Sequence, residues 1–254
     1  MNTETISIKA MDNEPDGYVS VRHVLSNEIE GLITGIFSVK GSHCVQELPQ
    51  LYTYDVLVIL KGEVVFGSEG EKYRLNTKYI IRPAYNKPYC IQVEEGSEAH
   101  FIRFRKTLKE EDLQDIRDHA DCHQSVFLRA FSDCPVYSEA IKSSKTINRM
   151  ILQEGLVPRF CMGSVYTEGP DRVAEHDHPM LDQLFFGLEA CKCTCYAAGE
   201  SIIMTENMLL HIPLGSKHSV SVAGGDILSY IWCDFFLSPE GQKYMKEQHQ
   251  IKGD

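Results

Sequence analysis

YDVLVILKGEVVF, residues 54–66, joins an apolar run, a Lys-Gly turn and a second apolar run, which is the pattern of a β-hairpin. The same pattern returns in DQLFFGLEACKCTCY, residues 182–196. When the two stretches are superimposed, Asp55 aligns with Gln183 at an offset of 128 residues. This repetition indicates that the chain contains two copies of one fold.

Further positions support the repeat. Gly62 aligns with Ala190 at the same offset of 128, and Pro88 aligns with His218 at an offset of 130. A single two-residue slip is typical of two related halves that differ in one loop. Because each half consists of short apolar runs separated by Gly, Pro and Asn turns, the sequence predicts an all-β protein of two tandem barrels.

A helical connector is predicted between the barrels. TLKEEDLQDIRDH has apolar residues on one helical face, and Thr107 and Glu110 have the spacing of a capping box. A second short helix is predicted after Asp133-Cys134-Pro135. The predicted division is an N-terminal barrel over 1–106, a helical connector over 107–145, a C-terminal barrel over 146–238 and a polar tail or helix over 239–254.

Charge and hydropathy exclude several classes of partner. The formal net charge is −11, and no dense Lys/Arg run is present, which argues against nucleic acid. The longest apolar run, VLVIL, is too short to cross a bilayer, and the N-terminus lacks the pattern of a secretory signal. We therefore expect a cytoplasmic protein that binds a small molecule, and a homodimer as its assembly.

The chain has nine cysteines, an odd number that favours reduced thiols over disulfides. Cys191, Cys193 and Cys195 alternate along a predicted strand and would share one face. Packed thiols are the favoured interpretation, with a soft-metal site as the alternative.

Three histidines are candidate metal ligands. His176 and His178 lie in EHDHPM, two residues apart, and His218 follows PLGSK on a later predicted strand. Imidazoles that converge from two strands, together with an oxygen ligand, suit a divalent first-row metal.

These spacings resemble the two motifs of the cupin superfamily, H-x-H with an oxygen ligand at Gln183 and P-x-G-x-x-H ending at His218. The resemblance implies a bicupin, with two jelly-roll barrels and one divalent metal (Fe, Mn, Ni or Zn) in the second barrel only. This sequence departs from the family pattern at four positions. Gln183 replaces a glutamate, Ala190 and Asn207 replace glycines, and Val222 replaces an asparagine.

In the first half, the positions that match His176, His178, Gln183 and His218 hold Leu48, Gln50, Asp55 and Pro88. Leucine and proline side chains cannot coordinate a metal, so the N-terminal barrel is predicted to be metal-free and structural.

Two assignments stay open in the sequence. The fourth ligand is Gln183 or its neighbour Asp182, and the repeat favours Gln183 because it aligns with Asp55. His211 and Glu175 are candidate acid/base groups, with a satisfied strand histidine and a solvated carboxylate as the simpler interpretations.

The resemblance implies a metal-dependent enzyme that acts on a small hydroxy acid, keto acid or sugar derivative. Dioxygenation, isomerisation, decarboxylation and elimination are all compatible with such a centre. A non-catalytic small-molecule sensor is the alternative. The sequence favours the enzyme because no helix-turn-helix accompanies the barrels.

Overall fold

The computed structural model describes residues 1–5, 19–26 and 28–248. They form antiparallel β-sheets and three helices, divided into two compact units. One unit is Ser7–Asp133, and the other comprises the described residues of Met1–Ile6 and Cys134–Asp254. Within the described part of the chain, none of the helices has the length and apolarity needed to span a bilayer.

The elements of the first half follow one another closely. In chain order they are β1 Asn2–Thr5, β2 Val19–His23, β3 Leu32–Lys40, β4 Cys44–Glu47, β5 Thr53–Lys61, β6 Val64–Ser68, β7 Glu71–Leu75, β8 Tyr79–Arg82, β9 Tyr89–Gln92, β10 Glu98–Thr107, α1 Glu110–Asp118, α2 Ala120–Gln124 and β11 Phe127–Ala130.

The second half repeats the run of short strands. Its elements are β12 Val136–Tyr137, β13 Ile147–Val157, β14 Phe160–Glu168, β15 Asp171–His176, β16 Leu181–Gly187, β17 Lys192–Ala197, β18 Glu200–Thr205, β19 Met208–Ile212, β20 His218–Val222, β21 Ile227–Phe236 and α3 Pro239–Gln248.

Each unit consists of two facing sheets around one apolar core. In the first unit the strand orders are β11-β8-β5-β10-β3-β2 and β4-β9-β6-β7. In the second unit they are β1-β19-β16-β21-β14-β13-β12 and β15-β20-β17-β18. The larger sheets of the two units share one strand order, since β8-β5-β10-β3 in the first matches β19-β16-β21-β14 in the second. The two four-stranded sheets match in the same way. The protein is therefore all-β, with two jelly-roll barrels in tandem.

The burial of the strands explains why the sequence folds this way. β21 is an almost uninterrupted apolar run, and it is buried on both faces in the larger sheet. β17 and β20 alternate buried with exposed or half-buried residues, because their four-stranded sheet turns only one face to the core. The alternation fixes which side chains point into the barrel.

The cross-strand register supports the sequence alignment of the two halves. Asp55 on β5 is the partner of Arg105 on β10, and Gln183 on β16 is the partner of Asp234 on β21. Asp55 and Gln183 therefore occupy equivalent places. Ala190, which stands where the family pattern has glycine, adopts a φ of 60°, in the left-handed region that favours glycine.

The predicted connector is only partly helical. α1 and α2 form, but β11 then pairs with β8 of the first barrel, and Val136–Tyr137 pairs with β13 of the second. The predicted helix after Pro135 is wrong, because the backbone there joins a sheet and the Tyr137 side chain enters the core. The predicted N-terminal cap is also wrong. The Lys109 backbone N–H donates to Asp112 Oδ2 at 2.9 Å, so α1 begins three residues after Thr107.

The predicted tail and barrel limits also differ from the structure at the chain ends. β1, at the start of the chain, pairs with β19 of the second barrel rather than with the first barrel. At the other end, residues 239–248 form α3, and the last residues of the predicted tail, 249–254, lie outside the described residues.

Candidate metal centre

Two of the three histidines are held by neighbouring strands of the four-stranded sheet. His176 ends β15 and His218 begins β20, and the two are cross-strand partners. The register of this strand pair shifts between Val173 and His176, which indicates a bulge. Bulges re-aim side chains at sheet ends, and here one places His176 beside His218.

His178 and His218 are each positioned by a local turn. Pro179 follows His178 and restricts its backbone to extended conformations. Before His218, the Ser216 N–H donates to the Pro213 carbonyl at 3.0 Å, and Gly215 has a φ of +68°. A residue with a Cβ is strained at that φ, so Gly215 suits the turn.

The three rings face one another at one end of the barrel. Their centroids are separated by 4.8 Å (His176 to His178), 4.2 Å (His176 to His218) and 5.3 Å (His178 to His218). One nitrogen from each ring lies within 4.8 Å of the other two. Among the described residues, these three are the group of three or more histidine, cysteine or acidic side chains whose ligand atoms lie close enough together to hold a metal ion.

Hydrogen bonds select the nitrogen that each ring offers. His176 Nδ1 donates to the Ala174 carbonyl at 2.8 Å, and His218 Nδ1 donates to the Ser216 carbonyl at 3.0 Å. With Nδ1 protonated, the lone pair of a neutral ring is on Nε2. Burial, reinforced by the charge of His176, lowers the pKa of His218 to about 4, so this ring is neutral at pH 7 and available as a ligand.

Gln183 lies beside the histidines, on the inward face of β16. It lines the same small cleft as His178 and His218. Its Nε2 donates to Asp234 Oδ1 at 2.6 Å, while its Oε1 is buried without a hydrogen-bond partner in the structure. Asp234 therefore orients the amide and leaves its oxygen free.

The residues fit a divalent metal. His218 Nε2 is also buried without a hydrogen-bond partner in the structure, as expected for an atom that lacks its ligand. The three ligand nitrogens lie no more than 4.8 Å from one another, so an ion placed at the centre of their triangle is at most about 2.8 Å from each nitrogen. A metal–imidazole bond is about 2.0–2.1 Å long. Ring shifts below about 1 Å close that difference. Histidine nitrogens with an amide oxygen suit first-row transition metals.

The structure separates Asp182 from this group. Adjacent residues of a strand point to opposite faces, so Asp182 lies on the face of β16 opposite Gln183. There Asp182 Oδ1 lies 3.2 Å from His211 Nε2. His211 is buried on this outer face rather than in the barrel, and Glu175 is exposed. The structure therefore does not bring His211 or Glu175 to the three histidines.

Charged residues inside the barrel were missed by the sequence reasoning. Burial raises the pKa of Asp234 to about 7, with a further upward contribution from Glu139. Lys142 and Glu139 form an ion pair at 2.6 Å, with side chains only 5% and 16% exposed. The isolated aspartate in the apolar strand ILSYIWCDFF is a signal that identifies Asp234 as unusual.

The equivalent place in the first barrel holds an ion network. Arg105 donates to Asp55 through Nε at 2.7 Å and through Nη2 at 2.6 Å, and to Glu47 Oε2 at 2.8 Å. Tyr89 donates to Asp55 Oδ2 at 2.7 Å. The Asp55 carboxylate thus accepts hydrogen bonds from a guanidinium and a phenol.

No protein-family model matches the sequence, and no curated protein sequence matches it significantly. Solved structures do match the fold. Protein Ylba from E. coli has a TM-score of 0.64 and 9% identity over 86% of this chain and 83% of that chain. A cupin 2 conserved barrel domain protein from Leptotrichia buccalis has a TM-score of 0.63 and 14% identity over 92% and 96%.

Oxalate decarboxylase from Bacillus subtilis, a protein with Mn(II) centres, has a TM-score of 0.59 and 12% identity over 90% of this chain and 78% of that chain. Identities this low establish the fold and not the activity. Together with the duplicated topology and the convergent histidines, these matches show that the chain has the two-barrel fold of the cupin superfamily, the bicupin fold.

Proposed function

We propose that the C-terminal barrel is a metal-dependent enzyme domain. His176, His178 and His218 hold one divalent transition metal, and Gln183 Oε1 is the fourth protein donor. The observation that carries the proposal is the convergence of the three rings, two of them with Nδ1 hydrogen-bonded to backbone carbonyls. Because Nδ1 of those two rings is engaged, Nε2 is the nitrogen that each can offer to an ion.

The ligand set favours an anionic substrate. Three neutral imidazoles and an amide leave the charge of a divalent ion uncompensated, so a carboxylate or enolate oxygen is the complementary ligand. A bound metal with open positions supplies Lewis-acid polarisation of a chelating oxygen substrate. Small hydroxy or keto acids and sugar-derived acids are the substrate class that this chemistry suits. Oxalate decarboxylase, which shares the fold and has Mn(II) centres, supports a small carboxylate.

Buried aromatic side chains border the histidine centre and exclude water from the side of the core. The Phe185 ring lies 5.9 Å from the His218 ring and 4.7 Å from the Tyr230 ring, measured between centroids. Both aromatic residues are buried in the core. They close the barrel beneath the histidines, and a substrate is restricted to the side of the His178–Gln183–His218 cleft.

Elemental analysis tests the metal assignment. Protein purified without a histidine tag or chelator is expected to contain one equivalent of a divalent metal at the histidine centre, and His218→Ala is expected to lose it. Gln50→Ala changes the matching position of the first barrel and is expected to retain the metal. A second equivalent that Gln50→Ala removes, or unchanged metal content in His218→Ala, would contradict the proposal.

A substrate screen under air and under nitrogen separates the reaction types. Oxygen uptake with a hydroxy or keto acid identifies a dioxygenase, whereas turnover under nitrogen identifies an isomerase, lyase or decarboxylase. Metal-dependent binding without turnover in either atmosphere, across several metals, identifies a sensor and overturns the enzyme proposal.

A further inference from the structure

A second group of potential metal ligands lies in the C-terminal barrel. Cys191, Cys193 and Cys195 all point into the apolar core, where they are 4%, 3% and 0% exposed. The sequence predicts their shared face, and the structure confirms it. The Cys191 and Cys193 sulfurs are 3.9 Å apart. Cys195 is the next inward-facing thiol along the strand.

The spacing of the first two sulfurs matches that of two ligands on one ion. Thiolates bound to a tetrahedral ion at about 2.3 Å lie about 3.8 Å from each other. Cys191 and Cys193 are within about 0.1 Å of that separation without any change in the backbone. Cys195 lies beyond Cys193 along the same row, so it is too far from Cys191 for all three thiols to share one ion.

A third potential sulfur donor lies on the neighbouring strand. Met204 on β18 is the cross-strand partner of Cys193, is fully buried and belongs to the same core cluster. Cross-strand partners on one face have Cβ atoms about 4.5–5.5 Å apart, within reach of a thioether. The Cys191 thiol also donates to the Met204 backbone carbonyl at 3.9 Å.

This sulfur group is separate from the three histidines. Ala197 on β17 is the partner of His218, and Cys193 lies four residues earlier on the same strand. At about 3.3 Å per residue, the two sites are about 13 Å apart. Cys191 directly follows Glu189 and Ala190, both exposed, and that loop offers an ion a short path from solvent.

We propose that Cys191 and Cys193, with the Met204 thioether, form a second metal site that takes a thiophilic divalent ion. Soft sulfur ligands select such ions over the hard cations that oxygen sites prefer. Two thiolates neutralise a divalent charge, and a neutral complex is the form that an apolar core tolerates.

Metal binding by the two thiols releases protons and requires no oxidant. The hydrogen bond with Cys193, together with burial, raises the pKa of the Cys191 thiol, so the unloaded pair is protonated at neutral pH. Binding of one divalent ion forms two metal–sulfur bonds, breaks two S–H bonds and releases two protons to solvent.

Titration with Cd(II) tests the site. The probe is added to protein whose histidine centre is already loaded, and ultraviolet sulfur-to-cadmium charge transfer and ¹¹³Cd NMR report sulfur ligation. We expect one sulfur-bound Cd(II) per chain and two protons released per ion in weakly buffered solution. Cadmium bound without charge transfer would overturn the proposal.

Variants locate the ligands. Cys191→Ala and Cys193→Ala are expected to abolish the charge-transfer signal, whereas Cys233→Ala, which removes another buried thiol, and His218→Ala are expected to keep it. Cys191→Ser preserves the shape of the side chain if the alanine variant does not fold, and it is expected to lose the signal too. A full signal in a folded Cys191 variant, or its loss only in Cys195→Ala, would overturn the assignment.

Discussion

Replacement of Asp234 by leucine tests whether Gln183 is oriented for metal binding. In the structure Asp234 Oδ1 accepts a hydrogen bond from the Gln183 side-chain amide at 2.6 Å, and Gln183 Oε1 is buried without a partner. Asp234→Leu keeps a side chain of similar size but removes the acceptor. The Gln183 NH₂ group is then buried without a partner unless the amide rotates away.

The expected magnitude follows from that lost hydrogen bond. A buried donor without an acceptor costs about 1–3 kcal/mol, and 1.4 kcal/mol corresponds to a factor of ten in affinity. Metal affinity is therefore expected to fall roughly 10–100-fold, the range found when partners of metal ligands are replaced. Asp234→Asn keeps an oxygen acceptor and is expected to bind metal within about threefold of the unaltered protein.

Chelator competition measures these affinities. The chain has a single tryptophan, Trp232, which is the cross-strand partner of Phe185, so quenching of its fluorescence by Co(II) reports occupancy of the histidine centre. Thermal unfolding of the metal-free variants separates misfolding from weaker binding. Asp234 does not orient Gln183 for metal binding if folded Asp234→Leu binds Co(II) as tightly as the unaltered protein, or if Asp234→Asn weakens binding as much as leucine does.

Three further predictions concern stability. Gly163→Ala places a Cβ 2.3 Å from the Trp232 ring, so we expect a loss of about 1–3 kcal/mol and a shifted tryptophan emission during thermal unfolding. Asp55→Asn breaks the buried pair with Arg105 and is expected to cost about 3 kcal/mol in denaturant unfolding without changing metal content. Burial and the charge of Arg82 lower the pKa of His123 from 6.5 to about 4, so unfolding by urea should become easier as the pH falls from about 6.5 to about 4. In that window the unfolded state binds the proton that the folded state excludes, and His123→Gln should weaken the pH dependence.

Matched controls accompany these variants. Gly224→Ala makes the same change where the nearest atom is 3.7 Å away, and it is expected to be neutral or slightly stabilising. Equal stability of the two glycine variants would contradict the packing argument. His119→Gln replaces an exposed histidine, and an equal loss of pH dependence there would show that His123 is not the responsible group.

The repeat and the grouping of the histidines were predictable because both depend on spacing. The equivalence of Asp55 and Gln183, inferred from an offset, reappears as an identical place in the cross-strand register. Convergence of His176, His178 and His218 follows once the strand order is that of a jelly roll.

The face of each strand was harder to predict. When the register of a strand shifts by one residue, every side chain moves to the opposite face of the sheet. Because a loop follows His178, the sequence does not show which residues of β16 face the core. Only the register with β21 shows that Gln183 points inward and that Asp182, with His211, points outward. The helix predicted after Pro135 failed for a related reason, because tertiary pairing overrode local preference.

The pairing of β1 with β19 has a consequence for synthesis of the chain. Asn2 pairs with His211, so β1 is synthesised about 200 residues before the strand that it pairs with. At about 5–20 residues per second, that interval lasts roughly 10–40 seconds. During it, β1 has no partner strand, and when β19 emerges its free edge offers hydrogen bonds to any other chain nearby. Pairing of β1 of the same chain with β19 covers that edge and removes its free hydrogen-bonding groups.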